Sequence, residues 1–261
     1  MKLPKFKIRA SQFGEIAANL EGLTQKQLDR LNELEEKGSK SKELKELIAK
    51  RDNSDLPAGA KTYCKRWVQE KIYNRSKEIQ SKYLDKGNEC EDDSIKFLSD
   101  YYFMNLSKNE ESFEDEHFTG TPDLLVLDDE VWDVKNSYSF ETFPLFDYGI
   151  KNAAYKWQGL VYLALTKRSK FRLCYTLVNL PEHMIMDEVR KLSWKSEKSF
   201  EELYVEAEKF YTYDEIDDSL RLKTFEFIRD DDKITKMRKR VEACREYIES
   251  ELIPNIGGMY E

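Results

Sequence analysis

One stretch constrains this chain more than any other: GTPDLLVLDDEVWDVKNS, residues 120–137. Two short apolar runs, 123–127 and 131–135, flank Asp128-Asp129-Glu130 and read as a β-hairpin. Carboxylates and ammonium groups are seldom buried without partners, yet Asp123, Asp133 and Lys135 sit within these runs. With a three-residue turn at 128–130, Leu127 opposes Val131, Leu125 opposes Asp133 and Asp123 opposes Lys135. Opposed residues share a sheet face, as do alternate residues along a strand, so all three charged groups emerge together. Asp123 and Lys135 are then about 5 Å apart at Cβ, with Asp133 a diagonal neighbour within about 8 Å. A two-residue turn would send Asp123 to the opposite face. Val134 points the other way, into the core.

Two acidic groups this close suit a hard divalent cation. Mg²⁺ and Mn²⁺ retain waters and leave coordination positions for a phosphate. A neighbouring lysine can orient or help deprotonate a water and offset charge on a transferring phosphoryl group. Other chemistries have less to work with. Only His117 and His183 are present, which removes multi-histidine metal centres and leaves little room for a Ser–His–Asp arrangement. Cys64, Cys90, Cys174 and Cys244 form no CxxC and read as reduced thiols.

The net charge of -8 is unevenly spread. Residues 1–86 carry 20 Lys and Arg against 13 Asp and Glu, and the remainder is acidic. A basic front on an acidic body can track a phosphate backbone, and a solvated helical surface accounts for the same excess. No apolar run approaches the ~18 residues of a membrane helix. The opening MKLPKFKIRA lacks a secretory apolar core, so a cytoplasmic location and no membrane partner are expected.

Residues 23–51 read as a helical hairpin, with Thr24 capping the first helix, Leu28, Leu31 and Leu34 on its apolar face, and KGSKS breaking it. Pro57 and Gly59 mark a loop. A long helix follows over 63–84, with Trp67, Ile72, Ile79 and Leu84 facing inward; Gly87 interrupts it, and CEDDSIKFLSDYY resumes a helix. Beyond residue 112, strands at 123–127, 131–135 and 171–178 alternate with the helical NAAYKWQGLVYLALTKR. The run Leu124–Leu127 fits a strand buried on both sides. Towards the end, SWKSEKSFEELYVEAEKFY reads as amphipathic packing, LKTFEFI as a strand, RDDDK as a solvated turn and KITKMRKRVEACREYIESEL as a closing helix. The expected fold is α/β: a central mixed sheet flanked by helices, with a helical N-terminal lobe. A single domain over 1–261 is expected, divided into that lobe (1–86), a catalytic core (87–180) and a C-terminal extension (181–261).

These residues resemble the PD-(D/E)XK nuclease superfamily. Pro122-Asp123 and Asp133-x-Lys135 supply its central motif. Upstream, KGNECEDD sets Glu91 four residues after Gly87, similar to the helix-borne glutamate of RecB-like and lambda-type exonucleases; Lys86 in that stretch reads as a surface lysine, with a phosphate contact as the alternative. Downstream, Gln158 and Tyr162 match the Q-x-x-x-Y arrangement, and positions i and i+4 share a helix face. The resemblance covers roughly residues 9–165. It implies hydrolysis of DNA phosphodiester bonds, with Mg²⁺ (or Mn²⁺) held by Asp123, Asp133, Glu91 and the Val134 carbonyl, and Lys135 at the attacking water.

IRASQFGEIA resembles the lambda-type segment in which a serine opens a helix; Ser11 reads as an N-cap. In that family this serine and the residue two before the catalytic aspartate hold a terminal 5′-phosphate. The matching positions are Ser11 and Thr121, with Arg9 nearby, although the family's arginine stands further upstream. The implied activity is 5′–3′ digestion of linear double-stranded DNA in phage-type recombination. A homo-oligomeric ring and a single-strand annealing partner are implied with it. The alternatives are another RecB-like or restriction-type endonuclease, or a non-catalytic nucleic-acid-binding protein of the same fold. The iron–sulfur branch needs a cysteine cluster that Cys174 and Cys244 do not make.

Overall fold

A reciprocal cap starts the first long helix. Thr24 accepts a hydrogen bond from the Gln27 N–H, and the Gln27 side chain accepts one from the Thr24 N–H. The computed structural model describes residues 3–52, 56–76 and 81–256. Strand β1 (Ile8–Arg9) runs into a 3₁₀ turn (Ala10–Glu15), followed by the hairpin of α1 (Gln25–Glu36) and α2 (Lys42–Asp52). Leu31, Leu34 and Leu47 close a small cluster of their own there, whereas Leu28 is exposed.

Helix α3 (Ala58–Tyr73) begins directly after Pro57 and takes in Gly59, so the expected loop is a helix start. Its inward face carries Tyr63, Cys64, Trp67 and Val68, with Ile72 partly buried; Ile79 and the side chain of Leu84 lie outside the described residues. Helix α4 (Lys82–Glu89) contains Gly87 and passes through it. The break comes at Cys90, where the chain turns into α5 (Glu91–Tyr102). Glu91, Asp92 and Asp93 fill the first turn of α5, where negative charge suits the helix dipole.

Strands β2 (Phe113–Glu114) and β3 (Phe118–Gly120) form a small sheet with β1, ordered β1-β3-β2, in which β1 runs parallel to β3. The main sheet follows: β4 (Leu124–Val126), β5 (Glu130–Asn136), then β6 (Lys170–Thr176) after helix α6 (Ala153–Thr166). Helices α7 (Glu182–Ser193) and α8 (Phe200–Tyr211) pack on each other before β7 (Leu222–Ile228) completes the order β4-β5-β6-β7. Parallel pairing of β5 with β6 between antiparallel partners makes this a mixed sheet with helices around it. Helix α9 (Asp231–Tyr247) passes through a π turn (Ile248–Leu252) into α10 (Ile253–Asn255). The acidic run before α9 is its start: Asp230 accepts from the Lys233 N–H as the N-cap.

The β4–β5 hairpin turns one residue earlier than the sequence suggests. Val126 pairs with Glu130, Leu125 with Val131 and Leu124 with Trp132, leaving Leu127-Asp128-Asp129 as the loop. Leu127 adopts a left-handed conformation (φ 49°) and is 73% exposed, so the apolar run loses its last residue to the turn. Distant groups set this register. The Arg168 guanidinium donates to the carbonyls of Val126 (3.1 Å), Leu127 (2.7 Å) and Glu130 (3.0 Å). Asp129 accepts from the Ser169 N–H at 2.8 Å and from its hydroxyl. Relative to the expected pairing the shift is two residues, an even number, so every side chain keeps its face.

Helix α6 is buried along Trp157–Ala164 and lies tightly on the sheet. A Cβ at Gly159 would stand 2.7 Å from both Phe171 and Phe227, so only glycine admits this approach. The N-terminal segment is pinned from α9. Arg240 donates to the Ile16 (2.7 Å) and Ala18 (3.0 Å) carbonyls, and Arg245 to those of Phe6 and Glu116.

Candidate active site

Asp133 occupies the middle of β5 and is wholly buried. Its Oδ1 accepts a 3.0 Å hydrogen bond from Gln158 Nε2. Its Oδ2 accepts no directed hydrogen bond; the Lys135 ammonium, 2.6 Å away, faces it as an ion pair. Asp123 follows the end of β3 and precedes β4, opposite Asp133 where the sequence placed it opposite Lys135. Its Oδ2 accepts from the Val134 N–H at 2.6 Å, continuing with a side chain the ladder that β4 leaves at Leu124. Val134 itself packs with Leu124, Trp132 and Cys174 on the far face. The expected convergence of Asp123, Asp133 and Lys135 is present, with the carboxylates as the directly opposed pair.

The electrostatics follow from this crowding. Burial, and then the charge of Asp133, push the Asp123 carboxyl up to about 7. Burial alone would lower the Lys135 ammonium, but Asp133 and Asp123 overcome it and hold it above the ordinary lysine value. The Lys135 ammonium also lies over the face of Tyr155, 5.3 Å from the ring centre. It is therefore a cation with two carboxylates and one aromatic face around it.

Gln158 and Tyr162, one turn apart on α6, form a relay. The two amide protons of Gln158 reach Asp133 Oδ1 and the Tyr162 hydroxyl (3.0 Å each), and that hydroxyl donates to the Thr121 carbonyl at 3.1 Å. Gly120 makes the relay possible. A Cβ there would fall 2.9 Å from both the Ala10 Cβ and Tyr162 Cε1.

That same contact brings the N-terminal candidates towards the sheet. Arg9 pairs with Thr119 across β1–β3, so Ser11 and Thr121 flank the close approach of Ala10 to Gly120, and Arg9, Ser11 and Thr121 are all exposed. Ser11 is not a helix cap. It is the second residue of the 3₁₀ turn, whose N-cap position is Arg9 with no side-chain cap bond. The turn leaves β1 directly, which moves its start forward.

Glu91, at the start of α5, lines the same cleft of about 520 Å³ as Asp123, Val134 and Lys135. Its carboxylate pairs with Lys108 at 2.7 Å. Four contributors were not visible in the sequence pattern: Lys108, Asn109, Asn136 and Lys86. Asn109 accepts no role from any motif, yet its N–H donates to the Asp123 carbonyl (2.8 Å) and its amide to the Pro122 carbonyl (2.9 Å). Asn136 ties β5 to the α4–α5 junction through the Cys90 carbonyl (3.0 Å) and Ser94 hydroxyl (2.7 Å). Lys86, expected at the surface, is 0% exposed. Its ammonium donates to the carbonyls of Ser137 (2.8 Å), Tyr138 (3.2 Å) and Val178 (2.9 Å), and burial pushes it down to about 8. Ser137 and Tyr138 follow β5 and Val178 follows β6, and their three carbonyls surround the ammonium.

Among the described residues, no three His, Cys, Asp or Glu side chains are gathered closely enough to enclose a metal ion by themselves. The cleft is lined by the carboxylates of Asp123 and Glu91, and beside Asp123 lies the buried Asp133 carboxylate, whose Oδ2 faces the Lys135 ammonium. That donor set fits Mg²⁺ or Mn²⁺, which take few protein oxygens and keep several waters.

No protein-family model matches the chain, and no curated protein matches it. Solved structures do. A phage-related exonuclease from Haemophilus somnus 129PT superimposes with a TM-score of 0.71 at 22% identity, over 97% of this chain and 98% of the other. An alkaline exonuclease from Laribacter hongkongensis, LHK-Exo, gives 0.55 at 15% identity over 96% and 91% of the two chains. Its complex with dAMP gives 0.56 at 14% identity over 94% and 89%. The shared architecture is an α/β fold, a mixed sheet flanked by helices with a helical N-terminal lobe. Within this fold the mixed sheet presents Asp133 and Lys135 on the inner strand β5, and α6 supplies the relay behind them. No helix among the described residues is long and apolar enough to cross a membrane.

Proposed function

We propose that this protein is a divalent-metal-dependent deoxyribonuclease, an exonuclease that hydrolyses linear double-stranded DNA from 5′ to 3′. What carries the reading is Asp133: a buried carboxylate held by Gln158 on one oxygen, faced by Lys135 on the other and opposed by Asp123. A structural ion pair has no use for a third charge pressed against it at a cost in proton affinity; a cation site does. Proteins with this fold include a phage-related exonuclease and an alkaline exonuclease crystallised with the mononucleotide dAMP, which supports a DNA substrate.

Asp123, Asp133, the Val134 carbonyl and Glu91 would hold Mg²⁺, with Mn²⁺ as a substitute. When bound, the cation would supply positive charge to the scissile phosphate and lower the proton affinity of a coordinated water. Lys135, kept protonated by its two carboxylates, donates to the attacking water or to a phosphate oxygen and offsets charge that develops there. Gln158 and Tyr162 fix the orientation of Asp133 through the chain to Thr121. Ser11, Thr121 and Arg9 would receive a terminal 5′-phosphate, which sets the polarity. The whole chain acts as one nuclease unit, a homo-oligomeric ring around DNA that hands 3′ single strands to an annealing protein in phage-type recombination.

A gel assay tests this directly. Linear duplex should be digested in Mg²⁺ and spared in EDTA, 5′-phosphorylated ends should be preferred, and Asp133→Asn should abolish the activity. Cleavage of closed circular DNA would replace the exonuclease with an endonuclease, and absence of any metal-dependent cleavage would leave a non-catalytic binder.

A further inference from the structure

Two lysines pair with carboxylates of the site. Lys135 pairs with Asp133, and Lys108 pairs with Glu91 at 2.7 Å. Lys108 lies between α5 and β2, and its backbone is fixed by its neighbour. Besides its bonds to the Asp123 and Pro122 carbonyls, Asn109 accepts from the Glu111 N–H at 3.3 Å. The lysine is thereby anchored to the segment that carries Asp123. Its hydrogen bond to Glu91, helped by the charges of Asp92 and Asp123, holds the ammonium above its ordinary value. The pair is open to solvent on its Lys108 side: the Lys108 side chain is 44% exposed and that of Glu91, which lines the cleft, 22%.

Carboxylates crowded in this way repel one another and need counter-charge. Lys135 answers Asp133 directly and Asp123 through its charge, and Lys108 answers Glu91. A divalent cation at Asp123 and Asp133 would supply that charge, and its field would repel a nearby ammonium. We propose that Lys108 is an exchangeable counter-ion, which neutralises Glu91 while the cluster is metal-free and passes to a DNA phosphate when a divalent cation takes its place. This rests on reading the cleft as a metal-dependent phosphodiesterase site. The released ammonium stays near Asp123, because Asn109 ties its segment to the Asp123 and Pro122 carbonyls, and a lysine there neutralises a phosphate as a point charge.

The test uses the full chain with Lys108→Met and Lys108→Arg, both at an exposed position, with thermal melting as the check on folding. Calorimetric titration of Mn²⁺ reads the first half of the exchange. Fluorescence anisotropy of a 5′-phosphorylated duplex in Ca²⁺ and in EDTA reads the second. Lys108→Met should bind Mn²⁺ about three- to tenfold more tightly and duplex in Ca²⁺ about three- to tenfold more weakly, the scale of a partly exposed ion pair. The duplex deficit should shrink in EDTA, and Lys108→Arg should behave as wild type in all three. A residue that only supports the fold would not move metal and DNA affinity in opposite directions. Unchanged or weaker Mn²⁺ binding in Lys108→Met, unchanged duplex binding in Ca²⁺, or an equal deficit in EDTA would each overturn the exchange. Wild-type protein that binds no Mn²⁺ would bring down the metal-site reading itself, and the exchange with it.

Discussion

Asp123→Asn separates the electrostatic cost of the cleft from its architecture. In the folded chain, burial and the charge of Asp133 push the Asp123 carboxyl up to about 7, against about 3.9 when unfolded. A raised folded value means that the native state keeps a proton the unfolded chain has already released. The cost is therefore absent below about pH 4, grows as pH rises and levels off above about pH 7. Three pH units correspond to about 4 kcal/mol, an upper figure because part of the repulsion belongs to Asp133. Asparagine keeps an oxygen to accept the Val134 N–H and carries no charge. In EDTA the variant should thus gain on wild type by about 3 kcal/mol between pH 5 and pH 8, or roughly 6–10 °C in Tm. Urea unfolding of both proteins across that range is the assay, since groups common to both cancel in the difference. Saturating Mn²⁺ should stabilise wild type and narrow the gap. A stability difference that stays flat from pH 5 to pH 8 would refute the argument that Asp123 is held at an electrostatic cost.

Three further outcomes follow from single contacts. Gly120→Ala drives a methyl to within 2.9 Å of Ala10 and Tyr162; it should cost about 1–3 kcal/mol in urea unfolding, and Ala10→Gly in the same chain should recover part of it. Gln158→Ala removes the donor to Asp133 Oδ1 and should lower kcat at least about tenfold, the scale of one lost hydrogen bond to a charged group, with KM for linear duplex little changed. Lys86→Met strands three buried carbonyls and should destabilise the protein by about 3 kcal/mol or more; a change under about 0.5 kcal/mol, the level of an ordinary surface substitution, would mean that Lys86 is not the clamp described.

The clustering of the candidate site residues could be read from the sequence because their arrangement is local. Asp123, Asp133 and Lys135 share a face through the two-residue period of a strand, and that parity survives an even shift in register. Gln158 and Tyr162 meet because a helix repeats every three to four residues. Thr24 caps α1 for the same kind of reason, through a residue three positions away. Ser11 misled because the segment after β1 tightens into a 3₁₀ turn that starts earlier, at Ala10. Gly87 misled because a glycine inside a helix costs only about 1 kcal/mol, which packing can offset.

Local pattern along the chain was enough for the inventory and its sidedness: which carboxylates and which lysine share a face of the sheet, and which helix stands behind them. The tertiary structure decided who touches whom. Arg168 sets the hairpin register from 38 to 42 positions away, Asp123 rather than Lys135 opposes Asp133, Lys108 finds Glu91, and Lys86 leaves the surface for three carbonyls on two other segments. Periodicity and capping act over a handful of residues, whereas burial, counter-charge and hydrogen-bond satisfaction are settled among groups that only the folded chain brings together.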